Sequence, residues 1–103
     1  GSILTLRPYF TGMFDLTGFQ RDLLYTIAGD DSQHGLAIKD RMETYYETEI
    51  NHGRLYPNLD ALAEKGLIEK SQRDQRTNEY DLTARGAREI EARIEWEQQY
   101  VDR

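Results

Sequence analysis

The stretch Asn51–Lys70, NHGRLYPNLDALAEKGLIEK, constrains the fold more tightly than any other part of the chain. Leu55, Leu59 and Leu62 stand at i, i+4 and i+7, the buried stripe of an amphipathic helix. Asn51 is placed to cap its start. Gly66 stands where a helix ends on a left-handed residue, and Leu62 and Leu67 then occupy the two positions that touch in a Schellman turn. Pro57 lies inside this span. With Asn51 as the cap, its ring meets the carbonyl of Gly53 and one helical hydrogen bond is lost, so either the regular helix starts later or its first turn bends. Two strand-length runs follow at once, LIEKSQ at 67–72 and TNEYDL at 77–82, joined by Arg73, Asp74, Gln75 and Arg76. This pattern predicts a β-hairpin with a charged tip.

The flanks predict more helix. Thr17 with Gln20 three residues on is a capping-box pattern, and Phe19, Leu23, Leu24 and Ile27 recur at helical spacing before Gly29-Asp30-Asp31 ends the run. Ser32 is placed to cap a second helix reaching about Tyr46, with Leu36, Ile38, Met42 and Tyr45 or Tyr46 as its apolar side. Thr83 caps a last helix from Ala84 to about Val101. The order helix, helix, helix, hairpin, helix is that of a winged helix-turn-helix. The expected fold is mainly α with a small β-hairpin, a winged helix-turn-helix followed by a C-terminal dimerisation helix. Residues 1–16 form an apolar N-terminal arm, 17–82 the winged-helix DNA-binding domain and 83–103 the dimerisation helix. In the arm, Ile3, Leu4, Leu6, Tyr9, Phe10, Met13, Phe14 and Leu16 need an apolar surface to cover them, while Pro8 and Gly12 interrupt any long helix.

Composition narrows the function. The chain of 103 residues is one domain's length. It holds no cysteine, which excludes disulfides, thiol catalysis and Cys-ligated zinc and makes an intracellular, cytoplasmic location the expectation. No run approaches the roughly 18 apolar residues of a membrane span, no basic segment leads into an apolar one as in a signal peptide, and Gly1-Ser2 reads as a tag remnant. His34 and His52 alone make no metal site. The sequence shows no nucleophile–base set and no phosphate-cradling glycine loop, so neither an enzyme nor a cofactor is expected. Lys and Arg number 13 against 19 Asp and Glu, a net charge of −6, and only Lys39, Lys65 and Lys70 are lysines. Such a balance suits a protein kept soluble by a hydrated acidic surface, as in salt-loving cells.

HGLAIKDRM, INHGRLYPNLDALAEKGLIEK and NEYDLTARGAREIE together resemble the PadR-like family of winged-helix transcription regulators. The shared features are a Gly-Leu-x-Ile opening of the second helix, Gly-x-Leu-Tyr-Pro-x-Leu in the third, Glu-Lys-Gly-Leu-Ile into the wing and Tyr-x-Leu-Thr-x-x-Gly into the last helix, over about residues 19–95. The acidic, lysine-poor version is similar to regulators of halophilic archaea, a group that includes one linked to oxidative stress. A response to oxidants through a thiol is excluded, because Met13 and Met42 hold the only sulfur atoms.

On a helical wheel Leu55, Leu59, Leu62, Ala63 and Tyr56 share the core side of the third helix, Arg54, Pro57 and Ala61 face away, and Asn58 borders them. Arg suits guanine O6 and N7, and Asn suits adenine N6 and N7; Gly53 lets the backbone come close to DNA. The expected DNA-binding residues are Asn51, His52, Gly53, Arg54, Tyr56 and Asn58 on this helix, Lys70, Arg73, Gln75 and Arg76 in the wing, and Ser32, whose helix start suits one phosphate. Asp60 and Glu64 are expected at the edge of the groove. On the last helix Ala87, Ile90, Ile94 and Val101 form one apolar stripe, and Ala92, Trp96 and Tyr100 a second. A small monomer needs only one. Ile90, Ile94, Trp96, Tyr100 and Val101, with Phe10 and Phe14 of the arm, are therefore the expected dimer interface. The expected partners are double-stranded DNA carrying a pseudo-palindromic operator and a second copy of the chain, with inorganic cations or salt modulating binding and no membrane involved. A winged-helix protein–protein module that does not bind DNA is the alternative.

Overall fold

The computed structural model of the chain describes residues 12–29, 33–72, 74, 75 and 77–101. A short 3-10 turn, Met13–Asp15, leads into α1 (Gly18–Ala28). β1 (Gln33–His34), α2 (Gly35–Tyr46) and α3 (His52–Glu64) follow, then β2 (Ile68–Gln72), β3 (Asn78–Leu82) and α4 (Ala84–Gln98). The three strands form one antiparallel sheet in the order β1-β3-β2.

Local chemistry sets most boundaries. α1 opens on a complete capping box: the Gln20 amide donates to Thr17 Oγ1, and the Thr17 amide donates to Gln20 Oε1, both at 3.1 Å. Asn51 caps α3, its Oδ1 accepting from the Arg54 amide at 2.9 Å. The amides of Arg54 and Leu55 both bond back to the Asn51 carbonyl at 3.1 Å, so the helix is regular from His52 and runs through Pro57; a later start is excluded. α3 ends in the expected Schellman turn. Gly66 has φ +78°, its amide bonds Ala63 O at 3.0 Å, and the Leu67 amide bonds Leu62 O at 3.1 Å.

The second helix departs from expectation. Its cap is His34, whose Nδ1 accepts from the Ala37 amide at 3.3 Å, and not Ser32, which lies outside the described residues. The cause is tertiary. Gln33 and His34 stay extended because they pair with Tyr80 and Glu79 of β3, so the helix cannot start before Gly35. A two-residue strand has no periodicity to reveal it. Leu36, expected inside, is exposed, as is Tyr45, while Ile38 and Met42 are fully buried and Tyr46 packs at the core's edge.

The core gathers Phe19, Leu23, Leu24 and Ile27 of α1, Ile38 and Met42 of α2, Leu55, Leu59 and Leu62 of α3, and Tyr80 of the sheet. Ile50, Leu67, Ile68 and Ile90 complete it with Met13 and Leu16 before α1. Tyr46 ties α2 to α1 by donating its hydroxyl to Asp22 Oδ2 at 2.6 Å and meeting the Phe19 ring edge-on at 6.0 Å. At Gly86, in the first turn of α4, the helix backbone comes so close to the α3–β2 turn that a Cβ there would stand 2.2 Å from Leu67 O and 2.8 Å from Leu82 Cδ1.

Two expectations follow from this packing. Gly86→Ala forces α4 off a backbone carbonyl that cannot rotate away and should cost about 3 kcal/mol or more. Gly18→Ala, in the first turn of α1 with nothing within 4 Å of the added carbon, should be neutral or stabilise by up to about 1 kcal/mol. Urea denaturation midpoints of the two variants check both. The Tyr46 hydroxyl is pushed up to about 12 from 10, chiefly by burial and then by its bond to the Asp22 carboxylate. Because the folded value lies above the unfolded one, this contribution to stability is complete below pH 10 and is lost as pH rises through about 12. Thermal midpoints measured across that window should fall less steeply for Tyr46→Phe than for the wild type. Part of the fall remains, because burial also raises Tyr25 and Tyr80.

Candidate nucleic-acid interface

The burial of Leu55, Leu59 and Leu62 turns the other side of α3 outward, so Asn51, His52, Gly53, Arg54, Pro57 and Asp60 are exposed. The Arg54 guanidinium lies 4.0 Å above the Phe19 ring of α1. Stacking uses the face of the guanidinium and leaves its in-plane N–H donors available. Asn58 is half-buried beside it. Its Nδ2 donates to the Arg54 carbonyl at 2.7 Å and its Oδ1 accepts from Gln20 Nε2 at 3.0 Å. Gly53 is open, the nearest atom to an added Cβ being Asn51 Oδ1 at 3.3 Å.

A groove of about 680 Å3 lies between the starts of α2 and α3 and the wing, lined by His34, Gly35, Leu36, His52, Tyr56, Asp74, Thr77 and Asn78. Tyr56 forms its floor. The hydroxyl would stand 2.6 Å from a Cβ added at Gly35, and the ring meets His52 edge-on at 5.4 Å. A side chain at position 35 would have to displace the end of the Tyr56 ring. In the wing, Lys70 Nζ stands 3.3 Å from Asp60 Oδ1 of α3. The carboxylate expected at the edge of the groove thus sits against a wing cation. Such an exposed pair contributes little stability. Gln75 is exposed at the tip, where Asp74 Oδ1 accepts the Thr77 amide at 2.8 Å. Arg73, Arg76 and Ser32 lie outside the described residues.

The two stripes of α4 separate. Ile90 is 8 % exposed and belongs to the chain's own core, which removes it from the expected dimer surface. Ile94 is 39 % and Trp96 49 % exposed, and Tyr100 and Val101 are more than half or half open to solvent. Arg93 lies 4.7 Å over the Trp96 ring, and Tyr100 packs 5.2 Å from it. Phe14, 73 % exposed, shares with Gly12, Met13, Glu89, Ala92, Arg93 and Trp96 a groove of about 410 Å3. Phe10 lies outside the described residues.

Sequence reasoning missed Phe19 and Gln20 as supports of the outward face of α3, reading them as core and cap. It also missed Leu36 and Thr77 as groove residues. Nothing in a periodicity shows a contact between residues 38 positions apart, as Gln20 and Asn58 are. Among the described residues no three His, Asp or Glu side chains could hold a metal ion, and no helix is long and apolar enough to cross a membrane.

Comparison with solved structures places this architecture. RosR of H. salinarum, from crystals grown from NaBr, matches with TM-score 0.81 at 49 % identity over 86 % of this chain and 81 % of that one. The complex structure of hsRosR-S1 matches with TM-score 0.81 at 50 % identity, covering 84 % and 76 %. F93 from STIV, a winged-helix DNA-binding protein, matches with TM-score 0.68 at 17 % identity over 84 % and 96 %, a likeness of fold. No curated protein sequence matches. The profile of the transcriptional regulator PadR-like family matches residues 23–92. With four helices and a two-stranded wing among the described residues and a match spanning most of its length, the chain belongs to the PadR-like family of transcriptional regulators.

Proposed function

We propose that this DNA-binding transcription regulator acts as a homodimer, with α3 in the major groove and the β2–β3 wing on the backbone or in the minor groove. The observation that carries the reading is the orientation of α3. Three fully buried leucines point one side inward, and the opposite side presents Asn51, His52, Gly53 and Arg54 at the helix's exposed N-terminal end. That is the end a recognition helix brings to base edges. Arg54, held on Phe19 with its donor edge available, is the base reader, and Asn58 its neighbour. Lys70, Arg73, Gln75 and Arg76 contact the backbone, and Ser32, in the segment that precedes β1, contacts one phosphate. His52 and Tyr56 border the groove between helix and wing.

The dimer forms through residues 83–103 with the arm. Ile94, Trp96, Tyr100, Val101 and Phe14 supply its exposed apolar surface, and Phe10 adds to it. The duplex is then met by a surface of net charge −6 per chain, or −12 for two copies by doubling. Glu64 and Glu69 are exposed beside the reading elements, with Asp60, Asp74 and Glu79 near them. Binding takes up inorganic cations at these carboxylates while the wing's basic residues release them from phosphate, and the two effects offset each other.

Three outcomes test the reading. Arg54→Ala should lose about 1–3 kcal/mol on the preferred site and relax preference at one base position. An equal loss on random DNA would make Arg54 a phosphate contact, and no sequence-selective gel shift at any salt concentration would leave a protein–protein module. Ile94→Asp and Trp96→Ala should each shift sedimentation toward monomer and weaken DNA binding; an unchanged dimer in both refutes the interface. A plot of log affinity against log salt should be shallow or rising, and replacing Glu69, Asp74 and Glu79 with their amides should restore a steep negative slope. A steep slope in the wild type would reduce the acidic surface to a solubility device.

A further inference from the structure

Four polar groups form a continuous relay from the first turn of α1 to the outward face of α3. The Thr17 amide donates to Gln20 Oε1 at 3.1 Å, and Gln20 Nε2 donates to Asn58 Oδ1 at 3.0 Å. Asn58 Nδ2 in turn donates to the Arg54 carbonyl at 2.7 Å. Its two ends are backbone groups of fixed character. An amide N–H can only donate, so Gln20 must turn its oxygen to Thr17 and its nitrogen to Asn58. A carbonyl can only accept, so Asn58 must turn its nitrogen to Arg54 and its oxygen to Gln20. Both ends dictate the same polarity, and neither side-chain amide can flip without breaking two bonds.

We infer that Gln20, which sits in the cap of α1 on another helix, is a positioning residue for DNA readout: together with the Arg54 carbonyl it holds the Asn58 amide in one orientation toward the bases. The inference rests on the reading of α3 as the recognition helix. A side-chain amide has two N–H donors and two oxygen lone pairs. Asn58 spends one of each in the relay and keeps one of each, the pair that adenine N7 and N6 require. An asparagine free to rotate would present either edge and lose rotamer freedom on binding; one locked from beneath presents a single pattern before DNA arrives. Phe19, one residue from Gln20, carries the Arg54 guanidinium. The first turn of α1 therefore supports both candidate base readers.

Gln20→Glu isolates the effect. The carboxylate still accepts the Thr17 amide, so the cap of α1 survives, but no donor remains for Asn58 Oδ1. The added charge weakens binding to every sequence alike and cancels when bases are compared at one position. Base preference should be measured by binding selection on randomised DNA for the wild type, Asn58→Ala, Gln20→Glu and Gln20→Ala, with thermal midpoints for each. The expected result is that both Gln20 variants lose about tenfold preference at the position that Asn58→Ala relaxes, keeping their preference at the Arg54 position. If Asn58→Ala relaxes a position and the folded Gln20 variants do not, the positioning role is overturned and the reading of α3 stands. If Asn58→Ala relaxes none, the reading of Asn58 falls and the inference with it. Should the Gln20 variants not fold, NMR of the wild type decides. A resolved, slowly exchanging Asn58 side-chain amide with cross-peaks to Gln20 supports the relay, and a degenerate, freely exchanging one overturns it.

Discussion

Three elements meet at the turn of Gly66 and Leu67. Here α3 stops, the wing begins and α4 starts alongside. Gly66 reverses the chain with φ +78°, which strands carbonyls that a helix would otherwise use. Thr83 takes up two of them, its hydroxyl donating to Gly66 O at 2.7 Å and its amide to Leu67 O at 3.1 Å. The same hydroxyl oxygen accepts the Gly86 amide at 3.0 Å and so caps α4. One threonine therefore ties the turn after α3 to the end of the wing and anchors the helix proposed to join two copies. The close pass of Gly86 over Leu67 O shows how little slack that joint has.

From this joint the face of α3 follows. With Leu55, Leu59 and Leu62 held inside, Arg54 and Asn58 must leave on the side toward α1, where Phe19 and Gln20 receive them. Burial of the ring of Phe19 and the capping chemistry of Gln20 serve stability first. In this arrangement they also order two side chains that a solvated helix face would leave free. The acidic surface adds a second layer. Lys70 and Asp60 sit close enough to offset each other, which leaves the proposed grip of the wing on phosphate chiefly to its tip.

How much was legible in the residues follows from which forces are local. The cap at Thr17 and Gln20, the stripe of α3, the Gly66 turn and the two long strands are set by neighbours within a few positions, and each was readable. β1 was not, because two extended residues acquire their meaning only from Tyr80 and Glu79 across the sheet. That pairing moved the α2 cap from Ser32 to His34. On α4 the amphipathic pattern showed two apolar stripes, but only packing could assign Ile90 to the chain's own core and leave Ile94 and Trp96 open. The outward placement of Arg54 was visible on the wheel; the ring beneath it was not.

In the proposed dimer, two copies of α3 related by a two-fold axis read one face of a duplex. Two-fold symmetry requires inverted half-sites, and entry into successive major grooves requires a spacing of about one helical turn, roughly 34 Å. Base-resolution footprinting on a selected operator at high salt tests this most directly. A two-fold dimer should give two inverted half-sites about ten base pairs apart, centre to centre, both protected at saturation. A direct repeat, or a single protected half-site at saturation, would contradict it.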